Sequence, residues 1–202
     1  DCIQWIEEPS IDATRELIDT MAEGKHICKH LHLPFQSGSD RILKLMNRHY
    51  DREKYMDIVN YAKYKMPNLS ITSDVIVGFP GETYDDFKLT LSLVRQVGFS
   101  SLFTFIYSKR VGTRAADMED PVSYEEKSKW FKELLEAQEE MALKYTNSLV
   151  GKEIKVLVEG VAPRENSLTG RNEGNIIVDL EGAETLVGKF VNVKITEATH
   201  WM

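Results

Sequence analysis

Three strand-like runs in this 202-residue chain each end in a loop whose residues suit a ligand. "PFQSGSDR", 34–41, offers the side chains of Gln36, Ser37 and Ser39 around a flexible Gly38. "VGFPGET", 77–83, presents nearly bare backbone at Val77 and Gly78. Exposed N–H and C=O groups at a strand end can hydrogen-bond a purine edge, because they copy the pairing pattern of a neighbouring strand, and glycine removes the Cβ that would block the approach. "FIYSKRVGT", 105–113, follows the aromatic pair Phe105 and Tyr107 with Lys109 and Arg110. Gly78 and Gly81 serve equally well in a tight strand-to-helix turn stiffened by Pro80, with no ligand involved, and both readings stand at this point.

Other side chains carry chemistry with equally plain alternatives. His30 and His32 alternate on one strand, so both rings share a face; with His26 they resemble metal ligands, but a hydrogen-bonded core role suits neutral imidazoles equally. Asp74 and Glu82 are a conceivable acid–base pair, or a first-turn charge and cap. Arg41, Arg48 and Arg52 cluster at a helix break, where phosphate contact and a solvated face are both open. No Walker loop, nucleophile elbow or zinc signature occurs, so hydrolase and kinase readings gain no support.

The elements that must position these residues alternate. Strands are expected at 3–6 (the weakest), 27–35, 69–78 and 101–108. Helices are expected from Asp12 or Thr14, over 40–46 and 51–65, from Thr83 to Val97, and from Tyr124 to Asn147. In the second helical piece after "QSGS", Tyr55, Ile58, Val59, Ala62 and Met66 share one face, and Thr83 with Asp86 reads as a capping box. Strand–helix units at this spacing give a parallel sheet, whose ligands sit at the carboxyl ends of the strands. From Gly151 the pattern changes to period-2 strands separated by Gly, Asn and Pro turns, the mark of a small all-β barrel. The boundary falls near 148, giving an α/β domain over 1–147 and a β-domain over 148–202.

The composition excludes several classes. A formal charge of −7 argues against a strongly basic nucleic-acid binder. From 147 to 202 six Lys and Arg stand against eight acids, so any RNA contact there must come from a local patch. The candidates are Arg171, Asn172 and Lys189, at turns where side chains reach phosphate and sugar. Two cysteines make no disulfide framework, and no run approaches a membrane span of about 18 apolar residues. These features lead us to expect a cytoplasmic protein with no membrane or DNA partner.

"LHLPFQSGSDRILKLMNRHYDREKY", "TSDVIVGFPGET", "FTFIYSKRVGTRAA", "GRNEGNIIV" and "LVGKFVNVKIT", in that order, together resemble the radical S-adenosylmethionine (radical-SAM) methylthiotransferases, and their tRNA-modifying branch most of all. The resemblance spans essentially the whole chain and implies the carboxy-terminal strands of a (β/α)6 partial barrel followed by a TRAM-like β-barrel. It implies a transferase that adds a methylthio group to C2 of an N6-isopentenyladenosine beside the anticodon. Another tRNA adenosine, a ribosomal-protein aspartate, or a non-catalytic RNA-binding module are the alternatives. The implied cofactors are S-adenosylmethionine and two [4Fe-4S] clusters, whose family cysteine motifs Cys2 and Cys28 do not match. The chain therefore reads as a carboxy-terminal piece, inactive alone, and no catalytic acid, base or metal ligand is assigned in it. By the same resemblance Val77 and Gly78 lie against the adenine, Gln36 and Ser37 face the ribose or methionine, and Phe105 and Tyr107 flank the adenine. Val111 stands where relatives often have proline.

Overall fold

The structure, a computed structural model, describes residues 3–6 (backbone), 14–163 and 166–199. Cys2, Asp12 and Arg164 lie outside the described residues. Strands β1 (Ile3–Ile6), β2 (Ile27–His32), β3 (Ser70–Val77) and β4 (Ser101–Ile106) form a sheet in the order β1-β2-β3-β4, every pair parallel. Parallel neighbours need a crossover connection, and here helices provide it. They are α1 (Arg15–Glu23), α2 (Asp40–Leu45), α3 (Arg52–Lys65) and α4 (Tyr84–Val97), while α5 (Tyr124–Asn147) leads from β4 to the β-domain.

The helix starts follow their sequence signals. Thr14, Ser39, Asp51, Thr83 and Ser123 each accept a backbone N–H of the first turn, and Thr83 with Asp86 completes the capping box. One face of the sheet is covered by helices. Leu31, Ile71, Val75, Val77 and Leu102 are buried there against Tyr55, Val59 and Ala62 of α3, Phe87, Leu91 and Val94 of α4, and Trp130 and Leu134 of α5. Full burial of such side chains stabilises by about 1.5–3 kcal/mol each, so this face holds the fold together. Phe87 and Trp130 stack at 5.6 Å and join α4 to α5; Phe35 and Phe99 stack at 5.4 Å.

The alternate residues point the other way. His30 and His32 of β2, Thr72, Asp74 and Ile76 of β3, and Ser101, Phe103 and Phe105 of β4 share this second face, in the register Thr72–Ser101, Asp74–Phe103 and Ile76–Phe105. No helix covers it among the described residues. Its start is covered by the β-domain, in which β5 (Glu153–Val161), β6 (Ser167–Asn172), β7 (Ile177–Glu181) and β8 (Phe190–Lys194) form an antiparallel sheet in the order β7-β6-β5-β8. The β6–β7 turn docks on the parallel sheet. A Cβ on Gly174 would lie 3.0 Å from the Tyr145 hydroxyl and 3.1 Å from Ser70 Cβ, so glycine lets this turn approach without displacing its neighbours. Among the described residues no helix is long and apolar enough to cross a membrane.

Candidate functional site

Two adjoining clefts lie on the second face of the sheet, and they share Asp74 and Phe105. The first, of about 440 Å³, opens at the carboxyl ends of β2, β3 and β4 and is lined by Gln36, Ile76, Phe79, Phe105, Tyr107 and Arg110, among others. It is large enough for a drug-sized or nucleoside-sized ligand. The second, of about 600 Å³, lies between the sheet and the β-domain, with His30, His32, Thr72 and Phe103 on one wall and Arg171, Asn175, Ile176 and Ile177 on the other.

Gln36 enters the first cleft through an unusual backbone. Its φ is +63°, a left-handed conformation that costs a non-glycine residue of order 1 kcal/mol. Two bonds to β3 hold it there: its N–H donates to the Asp74 carbonyl at 2.9 Å, and its carbonyl accepts from Ile76 N–H at 3.0 Å. Tyr107 is fixed by its own N–H, which donates to the Val77 carbonyl at 2.8 Å, and by an edge contact to Phe79 at 5.3 Å. Its hydroxyl is buried and has no partner. Phe105 is 54% exposed and Phe103 55%, large apolar surface for an inward-facing pair. Three of the six residues assigned to the cofactor from the sequence thus converge: Gln36, Phe105 and Tyr107.

The other three stand behind the cleft. Ser37 is buried, and its hydroxyl accepts the Ser39 N–H. Val77 is buried on the helix-covered face, with its carbonyl taken by Tyr107. Gly78 has φ +73°, and its N–H donates to the Glu82 carboxylate. The space a side chain would fill is already occupied, since a Cβ on Gly78 would lie 2.6 Å from Lys127 Cγ. The turn reading of Gly78 is the one this geometry supports. Glu82, 2% exposed, also accepts from Phe79 N–H, and burial pushes its carboxyl up to about 7 despite those two bonds. Lys127, itself buried, pairs with Asp120 at 2.5 Å and sits 5.9 Å over the Tyr107 ring. Nothing in an α5 sequence rich in Glu and Lys singles out this lysine. Thr72 and Phe103, also missed, were legible from the period-2 alternation that places 72 with 74 and 103 with 105.

The arginine cluster is structural where its contacts are seen. Arg41 pairs with Asp86 and donates to the Gly81 carbonyl. Arg52 donates to the Leu89 carbonyl, Ser92 and Gln96, which staples α3 to α4. Partial burial works against ionising Asp86, but hydrogen bonds from Arg41, Ser39 and Thr83 hold its carboxyl well below the usual range.

His30 and His32 do share a face, but no group of three His, Cys, Asp or Glu side chains among the described residues could hold a metal ion. Both imidazoles meet the Thr72 hydroxyl instead, at 3.0 and 2.9 Å. Cys28 is buried on β2 and is not a free thiol. In the β-domain, Arg171 stands at the rim of the larger cleft, bonded to Glu159 at 3.2 Å and to the Asn175 side chain at 3.1 Å. Lys189 is exposed. Asn172 is buried, and its side-chain Oδ1 accepts from Gly174 and Ile176 N–H at 2.9 Å each, so it builds the β6–β7 turn.

Comparison with known proteins supplies the context for these clefts. Residues 6–94 match the Radical SAM superfamily and residues 147–202 match the TRAM domain. The chain is 46% identical over 201 residues to the tRNA-2-methylthio-N(6)-dimethylallyladenosine synthase of Caldicellulosiruptor saccharolyticus, covering 99% of this chain and 43% of that protein. It is 49% identical over 187 residues to the enzyme of the same name from Carboxydothermus hydrogenoformans, covering 92% of this chain and 42% of that one. The chain therefore spans about two fifths of the length of these relatives. Coproporphyrinogen III oxidase from Escherichia coli, a radical SAM enzyme, superposes with a TM-score of 0.54 at 20% identity, over 69% of this chain and 32% of the other, a likeness of fold.

Proposed function

This chain belongs to the radical SAM methylthiotransferases and carries a TRAM domain, and from that premise we propose that it is the part of a tRNA methylthiotransferase that holds the adenosyl end of S-adenosylmethionine and receives the RNA. The name its relatives carry supports an N6-dimethylallyladenosine in tRNA as the substrate, and a cytoplasmic site of action is part of the same proposal.

The smaller cleft fits the cofactor. The observation that carries this reading is the unpartnered hydroxyl of Tyr107 in a cleft walled by Phe79, Phe105 and Ile76, because a polar atom without a protein partner on the wall of an apolar cleft suits a polar ligand. In this reading Phe105 and Tyr107 hold the adenine, Gln36 reaches the ribose, and the Glu82–Gly78–Lys127 packing keeps Tyr107 in place. S-Adenosylmethionine supplies an adenosyl radical when an iron–sulfur cluster reduces it, and the family pattern is two such clusters. The described residues offer no ligand set for a cluster.

The larger cleft suits the target base. Phe103 and Phe105 offer a stacking wall, and Ile176 and Ile177 face them across a gap open to the first cleft. Arg171 at the rim, with Lys189 beyond it, is placed to meet phosphate. The test is an NMR titration of the isotope-labelled chain with S-adenosylhomocysteine and, separately, with an anticodon stem-loop RNA. We expect the first to move amides of Gln36, Tyr107 and Arg110, and the second those of Arg171, Asn175 and Phe103. Shifts confined to the helix-covered face in both titrations would overturn the reading.

A further inference from the structure

His30 and His32 cannot both be read as ligands or as inert core, because they are linked in one line. His32 Nε2 lies 3.4 Å from an Asp74 carboxylate oxygen, His32 Nδ1 lies 2.9 Å from Thr72 Oγ1, and the same Oγ1 lies 3.0 Å from His30 Nε2. His30 Nδ1 is buried with no partner, on a side chain that is 4% exposed and lines the larger cleft.

A hydroxyl has one proton to give, so the line has a direction. With His32 in its neutral form, the Asp74 carboxylate, which can only accept, favours the proton on His32 Nε2 and leaves Nδ1 as a bare acceptor. The Thr72 hydroxyl then donates to His32 Nδ1 and must accept from His30, which puts the His30 proton on Nε2. His30 Nδ1 is left as a lone pair with no protein donor. Burial, and secondarily the neighbouring His32, lower the His30 imidazole to about 4, which agrees with a ring that stays neutral.

We propose that Asp74, His32 and Thr72 set the tautomer of His30, and that its Nδ1 accepts an N–H or O–H of the nucleoside bound in the larger cleft. This deepens the reading given above and rests on it. His30 is thereby a specificity residue, since an acceptor aimed at a donor rejects a nucleoside that lacks the donor and leaves the buried nitrogen unmet. An N6-dimethylallyladenosine carries one N6–H and the ribose hydroxyls, so either position can supply it.

Ring-nitrogen NMR of the histidine-labelled chain, near pH 8 where an ordinary imidazole is neutral, tests this with three nucleosides. N6-dimethylallyladenosine keeps both donor types, N6,N6-dimethyladenosine lacks the N6–H, and 2′-deoxyadenosine lacks one ribose hydroxyl. We expect both free histidines in the Nε2–H form, and the His30 Nδ1 resonance to move with every nucleoside that keeps the accepted donor. Loss of that donor should cost about tenfold in affinity. Thr72→Val, close in shape, should mix the tautomers of both rings and erase the discrimination. A His30 proton on Nδ1 in the free chain overturns the proposal. So does nucleoside binding that moves Phe103 and Ile177 but leaves His30 unchanged, and in that case the base-binding reading survives. If no nucleoside moves any residue of the cleft, the base-binding reading fails and the proposal with it.

Discussion

Replacing Tyr107 by Phe removes one oxygen and should move stability and affinity in opposite directions. In the free protein that oxygen is buried without a partner. An unmet buried hydroxyl costs about 1–3 kcal/mol. Phe at 107 keeps the ring, its 5.3 Å edge contact with Phe79 and the Lys127 ammonium 5.9 Å above it. Taking the low end, the free chain gains about 1 kcal/mol, a rise of roughly 2–4 °C in Tm for a chain of this size. If the adenosyl ligand is what the hydroxyl meets, the same change deletes a hydrogen bond of about 1 kcal/mol and weakens binding about five- to tenfold. Differential scanning calorimetry of the chain gives the first quantity, and calorimetric titration with S-adenosylmethionine of the full-length enzyme carrying Tyr107→Phe gives the second. A lower Tm with unchanged affinity would refute the reasoning, because the hydroxyl would then be satisfied in the free protein and idle in the complex.

Gly78→Val should destabilise by several kcal/mol, read as a lower urea midpoint, because φ +73° is strained for a branched residue and Lys127 fills the space; a stable variant that only loses the cofactor would restore the close-approach reading. Glu82 carries a folded-state value of about 7, above its ordinary 4.5, so its contribution is full below about pH 4.5 and is lost as pH rises through 7. That is about 3 kcal/mol between those limits, and Glu82→Gln should flatten this part of the stability–pH curve measured by urea unfolding. Asp86→Ala should cost about 2 kcal/mol in the same assay, since it removes the α4 capping box and leaves the buried Ser39 hydroxyl without its acceptor, while the half-exposed Arg41 can turn to solvent. Arg171→Ala should raise the KM for tRNA in the full-length enzyme and lower the salt slope of RNA binding by about one, leaving S-adenosylmethionine cleavage without tRNA unchanged.

The elements were legible because each carries a local signal. Thr83, three residues before Asp86, dictates where α4 begins, and Tyr55, Val59 and Ala62 recur at the helical period that buries them. The alternation in β3 told which side chains share a face, so Thr72, Asp74 and Ile76 were placeable together. What the sequence could not give is the surroundings that depend on a distant partner. Gly78 looks identical in sequence whether a ligand or Lys127 occupies the space before it, and the two are 49 residues apart. Asn172 at a turn reads as a reaching side chain, yet its amide folds back onto Gly174 and Ile176. Gln36 gives no hint of a positive φ, because β3, and not its own neighbours, imposes it.

The two faces of the parallel sheet show why the site lies where it does. The face under the helices is closed: its apolar side chains interlock, Asp86 and Arg41 are consumed in capping and stapling, and Glu82 gives one carboxylate oxygen to the N–H groups of Gly78 and Phe79. A ligand could enter there only by breaking those contacts. The opposite face has exposed Phe103 and Phe105, an unmet hydroxyl on Tyr107 and an unmet nitrogen on His30, all in the same two adjoining clefts. Unmet donors, unmet acceptors and bare aromatic rings on one continuous surface are what a polar, planar ligand resolves together, and a nucleoside brings all three complements at once.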